Sequence, residues 1–180
     1  IDYRPVLWGL TARGLGEQRL VASDTVSAHL QSIVPLCDLI VGTEEEVRIL
    51  GGEPDTIAAL KAIRARTDAL LVCKLGAEGC VPFGGAIPDS LEPVVPGFPV
   101  EVFNVLGAGD AFMAGFLCGW LTGKSAEESC RLGNACGAIV VSRHGCAPAM
   151  PTWEELEYFL RAQGLPFRLR EDERLEHLHW

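Results

Sequence analysis

The sequence predicts an α/β fold, a parallel sheet covered by helices. Three observations predict it. Short apolar runs of strand length, 36–41 and 69–74, alternate with segments of helical periodicity. The helical segments carry their own start and stop signals, among them Ser125-x-x-Glu128, Thr152-x-x-Glu155 and Gly51-Gly52. With 48% hydrophobic and 22% charged residues in 180, the chain has globular composition and the length for one core. Helices alternating with buried strands favour a parallel sheet, because parallel neighbours need a crossover and a helix supplies it.

The elements follow in order. Residues 24–32 open on Asp24, an N-cap candidate, and run as a helix. Leu36 to Val41, bounded by Pro35 and Gly42, reads as a buried strand. A helix over 44–50 stops at Gly51-Gly52, another spans 54–67, and 69–74 is the next strand. From Gly76 to Pro99 glycine and proline are frequent, and the short runs 80–83 and 92–95 predict antiparallel or hairpin pieces. Three strongly patterned helices complete the chain, over 108–121, 125–143 and 152–163. There is no internal repeat and no low-complexity stretch.

Bulk properties exclude several function classes. No apolar run approaches the roughly 20 residues of a membrane helix, and the N-terminus has no signal-peptide pattern, so the expectation is a soluble protein with no membrane partner. A net charge of -9 without Lys/Arg clusters argues against a nucleic-acid surface. Seven cysteines without CxxC spacing, set in apolar segments, suit buried thiols in a reducing compartment, which points to the cytoplasm. The chain opens without Met and closes on a charged run, so it reads as a portion of a longer protein: 1–164 a domain portion, 165–180 a charged linker or the start of a further domain.

The stretch that carries chemistry is Asn104-Val105-Leu106-Gly107-Ala108-Gly109-Asp110, a small-residue turn that opens into an apolar helix. Small residues let a ligand approach the backbone, and the free N–H groups at a helix start suit a phosphoryl group. Gly107, Ala108 and Gly109 are then the candidate anion hole, and Asp110 the candidate base for an acceptor hydroxyl. The same four residues alone are equally an ordinary turn with Asp as a helix cap.

Asn104 to Phe116 resembles the second signature of the ribokinase-like (phosphofructokinase B type) carbohydrate kinases, Asp-Thr-x-Gly-Ala-Gly-Asp before an apolar helix. Gly107 to Asp110 match it. Asn104 and Val105 stand where the pattern has Asp and Thr, which leaves open the monovalent-cation site that the family often builds near this loop. Thr43-Glu44-Glu45-Glu46 is similar to the family's Asn-x-x-Glu, which implies that Glu46 supports Mg2+ through water; Glu44 and Glu45 read as a solvated first turn. Lys74-Leu75-Gly76-Ala77-Glu78-Gly79 resembles the strand-end turn beside the ATP phosphates, and Asn134 and Gly137 fall where the family contacts adenine. Asp2 and Arg4 match the family's Asn-x-Arg positions, where the Arg4 guanidinium could pair with an acidic substrate or a phosphate, and a structural pairing with a neighbouring carboxylate fits it as well.

The resemblance implies a ribokinase-like three-layer α/β/α fold, of which this chain is the C-terminal, ATP-binding portion. It implies ATP and Mg2+, a small sugar-acid substrate, and a homodimer in the complete protein. Segments 2–8, 39–46 and 97–115 are most similar to family members that phosphorylate the primary hydroxyl of 5-dehydro-2-deoxy-D-gluconate in myo-inositol catabolism. The alternatives are a 2-keto-3-deoxygluconate or other sugar kinase, and a non-catalytic nucleotide-binding fragment. A dinucleotide oxidoreductase is disfavoured, since Gly107-x-Gly109 lacks the third glycine and the later acidic residue.

Overall fold

A computed structural model describes residues 24–162. Arg4, the segment 2–8, the side chain of Asp24 and the linker expected over 165–180 lie outside the described residues or side chains. The chain divides into two compact units, one holding residues up to Gly76 together with Cys80–Val94, the other Ala77–Gly79 together with Val95 onward.

In the first unit the order is helix α1 (Asp24–Gln31), strand β1 (Leu39–Thr43), helices α2 (Glu44–Gly51) and α3 (Thr56–Arg64), strand β2 (Leu70–Lys74) and strand β3 (Gly79–Phe83). β1 and β2 pair in parallel, with Leu39 opposite Leu70 and Thr43 opposite Lys74. β3 returns antiparallel to β2, placing Val81 opposite Cys73. Leu39, Ile40, Val41, Leu71, Val72 and Cys73 are all buried, which explains why these strands are continuous apolar runs without alternation.

Local chemistry sets the helix ends. Thr43 caps α2 through a complete capping box with Glu46, and Gly52, at φ 72°, ends it in the left-handed conformation. Gly51 has no room for a side chain: a Cβ there would lie 2.6 Å from Cα of Ala59 in α3. The absent side chain lets the two helices close over a core of Leu30, Val34, Ile40, Leu50, Leu60, Ile63 and Leu71. Each such residue stabilises the fold by about 1.5–3 kcal/mol.

Three boundaries differ from the sequence expectation. The first strand starts at Leu39 and not Leu36, because Pro35 opens a 3₁₀ turn over Val34–Leu36 and leaves Leu36 exposed. α3 starts at Thr56 because the Asp55 side chain accepts from the Ala58 N–H and holds the cap. The strand expected over 92–95 is reduced to β4 (Val95–Pro96).

The second unit is built on helices α4 (Ala108–Trp120), α5 (Ala126–Val141) and α6 (Trp153–Arg161). Both predicted capping boxes form, Ser125 with Glu128 and Thr152 with Glu155. α4 and α5 approach closely through glycines, since a Cβ on Gly115 would meet Cys136 Sγ at 2.7 Å and one on Gly133 would meet Phe112 at 2.9 Å. Ala111, Leu132, Ala135, Ile139, Val140, Leu156 and Phe159 form its core, with Phe98 edge-on to Phe159 at 5.1 Å. β4 runs beside the Ala77–Gly79 turn, where the Gly97 N–H donates to the Glu78 carbonyl.

Candidate active site

The loop before α4 is ordered by one side chain. Asn104 Oδ1 accepts from the Leu106 N–H at 2.6 Å, closing an Asx turn. Its Nδ2 donates to the carbonyls of Arg143 at 3.1 Å and Gly145 at 3.3 Å, so it also ties the loop to the segment after α5. Next to it the Phe103 N–H donates to the Val141 carbonyl at 2.7 Å.

The turn then enters α4 through Gly107, whose φ of 85° is left-handed and strained for any other residue. A Cβ here would also lie 2.4 Å from Cys146 Sγ, so both conformation and space demand glycine. The Ala108 N–H bends back to the Val105 carbonyl at 3.3 Å, while the Gly107 carbonyl accepts the first helical bond from Ala111. Asp110 is the third residue of α4 and is exposed. Gly107, Ala108, Gly109 and Asp110 thus lie together at one helix start, where N–H groups leave the helix without helical acceptors.

The two α5 candidates behave differently. Asn134 Nδ2 donates to the carbonyls of Val95 and Pro96, both at 3.0 Å, so its amide donors hold β4. Gly137 is half-buried, and a Cβ there would meet only the Ala108 carbonyl at an ordinary 3.6 Å. Packing requires glycine at 115, 119 and 133 and does not require it at 137. A helical glycine without a packing reason, beside the candidate anion-hole residue Ala108, is a place where a ligand could approach.

In the first unit, Glu46 Oε2 accepts from the Thr43 N–H at 2.7 Å in the capping box and lies 4.0 Å from Lys74 Nζ. Thr43 and Lys74 are register partners at the ends of β1 and β2, which is why the three side chains meet. Glu44 is not the solvated residue expected: it accepts from Thr56 Oγ1 at 3.2 Å, and Thr56 is buried. Gly76, at φ 62°, faces open space. Gly79 has a backbone reason to be glycine, because a Cβ there would come within 2.1 Å of the Val95 carbonyl. Among the described residues no three His, Cys, Asp or Glu side chains are grouped to hold a metal ion, and no helix is long and apolar enough to cross a membrane.

All seven cysteines are free thiols. Cys73, Cys80, Cys130 and Cys136 are buried as expected, but Cys118 is exposed on α4, and Cys37 and Cys146 are half-buried. Burial pushes the Cys73 and Cys136 thiols up to about 12.

Sequence reasoning passed over Arg143, Cys146 and Glu155. Arg143 Nη2 donates to Glu155 Oε1, and its Nη1 donates to the Ala149 carbonyl at 3.3 Å, so the guanidinium staples the loop that faces Asn104 and Gly107. No spacing rule links positions 143 and 155. The only available signal was Glu155 as the acidic member of a capping box.

Residues 14–153 match the pfkB family carbohydrate kinases, and the chain belongs to that family. It is 28% identical over 169 residues to a 5-dehydro-2-deoxygluconokinase of Bacillus subtilis, covering 91% of this chain and 46% of that protein. It is 32% identical over 139 residues to an uncharacterized sugar kinase of Archaeoglobus fulgidus, covering 77% of this chain and 49% of that one. The chain therefore spans about half the length of the curated relatives it matches. Among solved structures it resembles fructokinase from Vibrio cholerae O395 with a TM-score of 0.65 and 30% identity, over 74% of this chain and 44% of that chain. That enzyme was solved with fructose, ADP and calcium ion, and as a double mutant with fructose, ADP and potassium ion. The fold is ribokinase-like α/β, as the sequence predicted.

Proposed function

We propose that the protein carrying this chain is an ATP-dependent kinase that phosphorylates the primary hydroxyl of 5-dehydro-2-deoxy-D-gluconate, a cytoplasmic step of myo-inositol catabolism. The observation that carries the reading is the exposed position of Asp110 in the first turn of a helix entered through the left-handed Gly107. Asp110 takes the proton of the acceptor hydroxyl as its oxygen attacks the terminal phosphorus of ATP, and ADP leaves. The N–H groups at the start of α4 stabilise charge on the phosphoryl oxygens in transfer. Gly137 is assigned to the nucleotide because packing does not require glycine there, and Lys74 and Gly76 are assigned to its phosphates on the resemblance of their turn alone.

Mg2+ bound to the nucleotide would neutralise phosphate charge. A carboxylate at Glu46 suits acceptance from its waters, since Mg2+ keeps several of them. The acceptor assignment rests on the likeness to the Bacillus subtilis enzyme and on Val41-Gly42-Thr43-Glu44-Glu45-Glu46 and Phe103 to Asp110. Arg4 is proposed to meet the substrate carboxylate.

ATP-dependent phosphorylation by the full-length protein, followed by ADP release on 5-dehydro-2-deoxy-D-gluconate, 2-keto-3-deoxygluconate, ribose and fructose, tests this. Preference for the first acceptor supports the assignment. Preference for another overturns the acceptor and keeps the kinase, and nucleotide binding without turnover on any of them overturns this acceptor in favour of one outside the panel or of a binding module.

A further inference from the structure

We infer that the amide of Asn104 performs, within the chain, the bridging that a monovalent cation would otherwise perform at this loop, so that the protein does not depend on such a cation. A related fructokinase has been solved with potassium ion, which makes the question pertinent to this fold. The residues here do not fit that ion.

The orientation of the amide is fixed by its partners. One end faces the Leu106 N–H at 2.6 Å, which only the oxygen can accept. The other faces the carbonyls of Arg143 and Gly145, which only the nitrogen can serve. A flipped amide would set oxygen against two oxygens and N–H against N–H. The assignment is therefore determined by the surrounding groups.

A cation bridging the side chain at 104 to the carbonyls of Arg143 and Gly145 would need the space between them. The Asn104 Nδ2 hydrogens already point into that space at both carbonyls, so such a cation would have to turn the amide away. The neutral amide also offers less attraction to a cation than a carboxylate would. Asn104 is thus a positioning residue: it holds the 143–145 segment against the turn that leads into Gly107, and it does so at any cation concentration. With Asp at 104, the carboxylate oxygen that takes the place of Nδ2 would face two carbonyl oxygens, an arrangement that needs a cation between them.

The test compares the full-length protein with Asn104→Asp in potassium chloride and in choline chloride at equal ionic strength, reading thermal midpoint and ADP affinity. The native protein is expected to show the same midpoint and an ADP affinity within about twofold in both salts, because an ion that does not bind the native state cannot stabilise it. Asn104→Asp is expected to melt lower in choline chloride and to recover in potassium chloride. A native protein whose midpoint or ADP affinity rises severalfold with potassium would overturn the inference, as would an Asp variant indifferent to the cation. The midpoint arm stands even if ADP does not bind, so failure of the kinase reading and failure of this inference are separate results. If the Asp variant does not fold, the native comparison alone decides.

Discussion

Arg143 and Glu155 form an ion pair whose members are 10% and 2% exposed in their side chains, and the same Glu155 closes the capping box of α6 by accepting from the Thr152 N–H at 2.6 Å. One carboxylate therefore anchors a helix start with one oxygen and the loop facing Gly107 with the other. Removing it leaves a guanidinium nearly out of water without its counter-charge. Glu155→Ala should lower unfolding free energy by about 3–5 kcal/mol, measured by urea denaturation. Glu155→Gln keeps one acceptor oxygen, enough for one of the two partners, and should lose less than the Ala variant. Equal losses would mean that the carboxylate charge, which both variants lack, accounts for the whole effect.

Gly107→Ala meets two obstacles, a φ of 85° and the Cys146 sulfur. The substitution should cost more than the roughly 1 kcal/mol of an unfavourable left-handed conformation alone. Adding Cys146→Ala should restore only the steric part. Full rescue by the double variant, in the same denaturation experiment, would show that conformation is not limiting.

Gly137→Ala separates stability from binding. The site has room for a methyl group within ordinary contact of the Ala108 carbonyl, and Ala is favoured over Gly in a helix by about 1 kcal/mol. The thermal midpoint should rise or hold while ATP affinity, read by calorimetry, falls. Unchanged affinity would remove Gly137 from the nucleotide site.

Asp110→Asn removes the proposed base and keeps the shape of the helix start. Turnover should fall by at least the ~10²–10⁴-fold typical of general-base removal, with ADP affinity preserved. Turnover equal to the parent would take Asp110 out of the mechanism.

The buried thiols set an alkaline limit. Cys73 and Cys136 are held at about 12 by burial, above their ordinary value near 9, so the folded state keeps their protons while the unfolded state releases them. Their contribution is complete below pH 9 and is lost as pH rises toward 12, at about 1.4 kcal/mol per pH unit for each thiol. Cys136→Ala should flatten the fall in stability between pH 9 and 11. In the native protein at pH 8, a thiol reagent should label the exposed Cys118 well before either buried thiol.

How much of this was legible in the sequence depends on the range of the interaction concerned. The capping boxes at Ser125 and Thr152, the stop at Gly51-Gly52 and the turn into α4 all arise within a few residues, and each forms where the pattern placed it. The strand boundary at Leu36 was misplaced because an apolar residue after Pro35 looks the same whether a sheet or a 3₁₀ turn receives it. Glu44 looked solvated because its partner Thr56 is brought near only by the packing of α2 on α3.

The sequence by itself determined the α/β order of elements, the helix start that carries Gly107 to Asp110, and the family to which the chain belongs, because these rest on local backbone preferences and short motifs. Tertiary structure alone decided which glycines packing requires and which it does not, separating Gly79 and Gly115 from Gly137. It alone joined Asn104 to the carbonyls of Arg143 and Gly145, and Arg143 to Glu155. Those pairings depend on where helices and loops come to rest against one another, and no rule of spacing along the chain encodes that approach.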